Sequence, residues 1–189
     1  MASLISHAVV AAALGQAAPA RDRGDRRFWT AAVLCSCLPD ADVLGFLFGV
    51  RYGDLWGHRG MTHSLLFAAV VGIAAAAALP DSRRRDGWKL AALLTLITAS
   101  HGFLDAFTDG GLGVAFFSPF DRTRYFFPWR PVRVSPIGIL PFFSRTGLNV
   151  LLNEAGWIWL PSLALGALLR AVFARSNAAE KISSDRRPG

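Results

Sequence analysis

Each of the four histidines in this 189-residue chain, His7, His58, His63 and His101, lies in or beside an apolar stretch, near small residues or carboxylates. Imidazoles and carboxylates are costly at membrane depth unless something pairs them. The chain must therefore fold so that these side chains meet, and a metal ion is the partner that would satisfy several of them at once.

The surroundings fit that constraint. The sequence is 53% hydrophobic and only 17% charged, too apolar for a soluble domain with a polar shell, so one membrane-embedded domain over residues 1–175 is expected, followed by a disordered polar tail at 176–189. The net charge of +7 comes mostly from arginine, clustered at Arg21–Arg27, Arg83–Arg85, Arg122–Arg133 and in the tail. Beside apolar segments, such clusters set topology and touch lipid head groups; no nucleic-acid partner is expected. Cys35 and Cys37 have no second pair to complete a four-sulfur site and read as packing residues. No basic residue precedes the apolar run Leu4 to Leu14, so that run reads as structure and not as a secretion signal.

The expected fold is all-α: a multi-pass transmembrane bundle of four long apolar helices plus shorter partial spans. The long helices fall near 3–18, 64–79, 88–108 and 150–174, whereas 28–38, stopped by Pro39, is too short to cross. With the loops at 21–27 and 82–86 on the cytoplasmic side, short connections place His7, Asp40, Asp42, His63, His101 and Asp105 all toward the outer end. The charge rule did not demand that agreement, which argues for one site.

His101 and Asp105 share a helix face one turn apart, and Thr98 and Asp109 extend the polar stripe. Pro39 breaks the helix before Asp40 and Asp42, turning them toward a common point; Asp40 is the expected ligand, and Asp42 a second-metal ligand or a base. In the run His58 to His63, Gly60 permits a turn, Thr62 could cap the next helix, and His63 faces the site. The expected metal ligands are thus His7, Asp40, His63, His101 and Asp105, with Asp42, His58 and Arg59 as candidate catalytic residues. This donor mixture suits Zn²⁺ or a similar first-row ion, one or two in number, better than Mg²⁺. Catalytic zinc keeps an open position for water and lowers its pKa. Between residues 116 and 133, aromatic residues alternate with arginine; Arg122, Arg124 and Arg130 are candidates to hold a phosphate-containing substrate, with head-group anchoring as the competing role.

On Ser6-His7, Pro39 to Asp42, the stretch His58 to Ser64, His101 to Asp105, Ser118 to Phe120 and Pro136 to Gly138, the chain resembles the YdjM-type family of bacterial inner-membrane, metal-dependent hydrolases, also described as LexA-regulated. The resemblance covers about residues 3 to 140 and implies an inner-membrane enzyme among lipids. The order His, Asp, His, His-x-x-x-Asp is also similar to part of the zinc phospholipase C and P1-nuclease pattern. That likeness implies one zinc on Asp40, His63, His101 and Asp105, and another on His7 and a bridging Asp105; the His-x-x-x-His-x-x-x-Glu helix of those enzymes is missing.

The leading expectation is a membrane-bound, zinc-dependent phosphoesterase acting on a lipid or amphiphile, with its site toward the periplasm. The alternative is a non-catalytic protein with a structural or sensory ion. A metal or proton carrier is disfavoured, because the runs Ala68 to Leu79 and Leu90 to Ile97 offer few polar residues toward the cytoplasmic side.

Overall fold

A computed structural model describes residues 1–79 and 87–185. Among these the chain is helical: α1 (Leu4–Leu14), α2 (Ala20–Arg23), α3 (Arg26–Cys37), α4 (Leu65–Ala78), α5 (Gly87–Ala106), α6 (Ile139–Phe142), α7 (Arg145–Glu154) and α8 (Leu160–Asp185). The starts are capped as the sequence allows. Ser3 Oγ accepts the Ser6 amide, Asp25 accepts that of Arg27, and Ser64 Oγ that of Phe67. Ser64, not Thr62, therefore begins α4.

Pro39 does not end the second apolar segment. Lacking an amide hydrogen and crowding the carbonyl one turn back, it cannot sit inside an α-helix. The chain answers by tightening from α3 into a 3₁₀-helix, Leu38–Phe48, which closes at Gly49 in the left-handed region at φ 79°. Arg26–Phe48 becomes one of two helical stretches long and apolar enough to cross a membrane. The other is Arg145–Phe173, where a π-turn at Ala155–Trp159 joins α7 to α8. Leu4–Ala17 and Leu65–Ala78 are apolar but shorter. Among the described residues there are thus two candidate spans, one of them the segment expected to be too short, and the expected four long spanning helices are not confirmed. Their exteriors are greasy: Leu34, Leu47, Leu160, Leu163 and Leu168 all point outward.

The core packs α1, α3, α4 and α5 together through Ala11, Phe28, Ala32, Cys35, Ala76, Leu94 and Ile97, with Cys35 in the packing role expected of it. α4 and α5 approach closely at one point, where a Cβ on Gly72 would meet the Thr95 amide nitrogen at 2.3 Å. From Phe107 to Gly138 the chain is irregular, tied by isolated bridges at Thr108–Val132 and Val114–Tyr125. It folds back over the end of α5 through ring contacts among Phe103, Phe107 and Phe127, and rests Trp129 on Trp157 of the π-turn. Residues 176–185, expected as disordered tail, have helical backbone as the end of α8; 186–189 lie outside the described residues, as does the Arg83–Arg85 cluster used in the topology argument.

Candidate metal centre

Four elements deliver the polar side chains to one point. α1 brings His7, the 3₁₀-helix brings Asp40 and Asp42, the turn Met61–His63 brings His63, and α5 brings His101 and Asp105. All are buried: His101 and Asp105 completely, Asp40 and His63 to within 4%.

Asp40, His63, His101 and Asp105 form a set whose ligating atoms all lie within 4.8 Å of one another and could hold a metal ion. His101 Nε2 is 3.1 Å from His63 Nε2 and 3.3 Å from Asp40 Oδ1; His63 Nε2 is 3.6 Å from Asp40 Oδ1 and 3.5 Å from Asp105 Oδ2. Donors about 2.0 Å from a shared ion at tetrahedral corners sit about 3.3 Å apart, so these four edges match that shape. Both Asp40 oxygens are buried without a hydrogen-bond partner. A carboxylate is rarely left so in a folded protein, and a cation would satisfy it.

The surrounding groups orient these donors. His101 Nδ1 meets the Ser36 carbonyl at 2.7 Å, which requires the proton on Nδ1 and leaves the Nε2 lone pair facing the cluster. Asp42 does the same for His63: its Oδ2 lies 3.3 Å from His63 Nδ1, and that oxygen also accepts the Thr62 hydroxyl at 2.6 Å. The other Asp42 oxygen is 2.8 Å from His58 Nδ1. Asp42, His58 and His63 are also close enough to share an ion. The contrast with Asp40 separates the two carboxylates: Asp42 has hydrogen-bond partners on both oxygens, whereas Asp40 has no hydrogen bond and meets only the imidazoles of the cluster.

Arg59 is fully buried at positive φ (63°), a conformation that carries its side chain inward. Its Nε donates to Asp105 Oδ2 at 3.0 Å, and its terminal nitrogens donate to the Gly110 carbonyl and to Thr108 Oγ1. The guanidinium thus fixes Asp105 and neutralises part of the carboxylate charge. On the other side of Asp105, the Ala2 amide donates to Oδ1 at 2.7 Å. His7 reaches the same oxygen only at 3.7 Å, and its ring stacks on His101 at 3.6 Å between centroids. It stands beside the four-donor set rather than within it, with neither ring nitrogen hydrogen-bonded.

The electrostatics are those of a cation socket. Burial resists protonation of His63, but hydrogen bonds that its ring donates to Asp105, Asp40 and Asp42 outweigh it and push its pKa up to about 10. His58 moves the other way, lowered by burial despite its contact with Asp42.

The arginines of the aromatic segment go elsewhere. Arg124 donates to the backbone carbonyls of His58, Gly113, Tyr52 and Asp54, pinning the loop that carries His58. Arg122 joins it in lining a separate polar cavity of about 180 Å³ with Asp54, Gly60 and Ser118. Arg130 lies over the Phe126 ring at 4.6 Å. Thr98 and Asp109 also leave the site: Thr98 donates to the Leu94 carbonyl of its own helix, and Asp109 accepts the Val134 amide.

One buried acid escaped the sequence analysis. Glu154, fully buried at the end of α7, accepts the Ser3 amide and both the Ser3 and Ser6 hydroxyls, clamping the start of α1 beside Asp105. A lone glutamate at the head of an apolar helix was the available signal.

A family model described as YdjM inner membrane protein matches residues 1–179. The inner membrane protein YbcI of Escherichia coli (strain K12) is 37% identical over 169 residues, covering 89% of this chain and 97% of that protein. No solved structure matches. The likeness to zinc phospholipase C and P1 nuclease has no support among these matches and rests on residue order alone. With nearly its whole length matched, this chain belongs to the YdjM inner membrane protein family.

Proposed function

We propose that this chain is a membrane-bound, metal-dependent hydrolase of phosphoesters, with Zn²⁺ or a similar first-row ion held by Asp40, His63, His101 and Asp105. The observation that carries the reading is the convergence of four buried donors around an Asp40 carboxylate with no other partner. Two imidazoles with two carboxylates is a first-row donor set. When bound, such an ion supplies Lewis acidity toward an ester oxygen and toward water.

The chain's own groups have separable tasks. Asp42 holds His63 and His58 in register; with His58 Nδ1 directed to Asp42, His58 Nε2 is buried, unpartnered and able to take up a proton. Arg59 keeps Asp105 in place, and Arg124 keeps the His58 loop in place. The arginines at 21–27 cluster at the start of the Arg26–Phe48 span, and the charge rule then favours Asp40 in the periplasmic half of that span.

The depth of the donors favours a second reading, a structural or sensory ion site, since structural sites are closed and catalytic ones keep an open position. Elemental analysis of the purified protein and of His63→Ala and Asp105→Ala, with bis-p-nitrophenyl phosphate and p-nitrophenyl phosphate as substrates, separates the two. Metal and ester cleavage lost together support the hydrolase. Bound metal without cleavage of either ester supports the second reading, and unchanged metal content in both variants rejects the ligand assignment.

A further inference from the structure

Asp40 belongs to two environments at once. On one side it faces the donor cluster; on the other it forms part of the wall of a cavity of about 600 Å³, within the range of small-molecule sites. The cavity is walled by Leu4 and Ile5 at the start of α1, Leu44 of the 3₁₀-helix, and Ile137 and Phe143 of the segment that folds across at Gly138 (φ 104°). The polar groups of the wall come from Asp40, Ser3, Ser135, the Cys37 thiol and Met1, whose amino group lies among Asp105, Asp40 and Glu154. Away from them the lining is almost wholly aliphatic or aromatic.

From this arrangement we propose that the cavity binds the hydrocarbon tail of a single amphiphile whose anionic phosphate head lies at Asp40. The inference rests on the hydrolase reading and gives it a substrate class: phosphate esters with a long aliphatic tail. The chemistry on the page selects that occupant. An apolar trough beside the outward-facing side chains of Leu4, Leu44 and Phe143 suits a hydrocarbon chain, whereas a polar metabolite would leave its hydrogen-bonding groups unsatisfied along the greasy walls. A phosphate head next to the Asp40 carboxylate is repelled unless a cation stands between them. The Met1 amino group is already shared among Asp105, Asp40 and Glu154, so head-group binding at this spot still needs the metal.

The test uses decyl phosphate bearing a diazirine at the tail end, photolysed with the full-length, zinc-loaded protein in phosphatidylcholine nanodiscs, and mass-spectrometric mapping of the label. Saturable labelling of Leu44, Ile137 or Phe143 is expected. Unlabelled decyl phosphate should compete it away, ethyl phosphate should not, and chelation of the metal should abolish it. Leu44→Trp and Ile137→Trp, both at partly exposed positions, should lose the saturable label while keeping their bound metal. Labelling that rises linearly with probe and spreads along the outward leucines of α8 identifies ordinary surrounding lipid and overturns the proposal. The two readings fail separately. Saturable labelling without ester cleavage removes the hydrolase and leaves the tail site, whereas equal turnover of ethyl and decyl esters with unsaturable labelling does the reverse.

Discussion

Replacing Asp42 by asparagine tests the division of labour between two carboxylates only two residues apart. Asp42 carries three contacts, to His58 Nδ1 at 2.8 Å, to the Thr62 hydroxyl at 2.6 Å and to His63 Nδ1 at 3.3 Å, and no assigned role on the ion itself. Asparagine keeps the shape but loses the charge, and it turns one acceptor into a donor that faces an imidazole N–H. Loss of such an orienting partner typically costs about 10- to 100-fold in metal affinity, or about 1.4–2.7 kcal/mol. Asp40→Asn should cost more, because it weakens a ligand that has no other partner. Zinc dissociation constants by chelator competition, measured on wild type, Asp42→Asn and Asp40→Asn, give the ranking. An Asp42→Asn affinity equal to that of wild type, or one as poor as that of Asp40→Asn, would refute the assignment of Asp42 as the positioning carboxylate.

Arg59→Ala removes the buried guanidinium partner of Asp105, a change that costs about 3–5 kcal/mol; thermal unfolding of the metal-free protein should show a large loss, with Arg59→Lys an incomplete rescue because an ammonium cannot reproduce the planar fork. Glu154→Gln should lower stability by about 1–3 kcal/mol through the hydrogen bonds to Ser3 and Ser6, while metal content stays near stoichiometric; loss of metal in this variant would mean that the clamp also sets the ligands. Metal uptake should release a proton, because His63 has its pKa at about 10 without an ion and must present a bare Nε2 to bind one. Apparent affinity should therefore climb with pH through the neutral range, about tenfold per unit for one proton displaced, and a flat profile by calorimetry in buffers of different ionisation enthalpy would contradict it.

The candidate donors were legible in the sequence because imidazoles and carboxylates stand out against an apolar background, and because His101 and Asp105 are fixed relative to each other by helix geometry alone. Asp40, His63, His101 and Asp105 were all named from that reading, and the structure brings them together. The helical class was legible for the same reason. The spans were not, since Pro39 reads as a stop while the chain continues past it with different helical geometry. For the arginines at 122, 124 and 130 the sequence offered a role but not the contacts, since carbonyl contacts such as those of Arg124 depend on the path of an irregular segment that carries no periodic signal. Glu154 was missed because its partners, Ser3 and Ser6, lie about one hundred and fifty positions away.

The bare backbone contact where Gly72 meets Thr95 has a consequence for ion choice. The helix it belongs to follows directly on His63, and the facing helix carries His101, so the two imidazoles are mounted on arms hinged at that crossing. A single methyl group added at Gly72 has to push the arms apart. The gap between the nitrogens would widen with them, favouring a larger cation over a smaller one. If the cluster holds an ion, as proposed, its calibre would thus be set some nine residues away, by a position that never touches it.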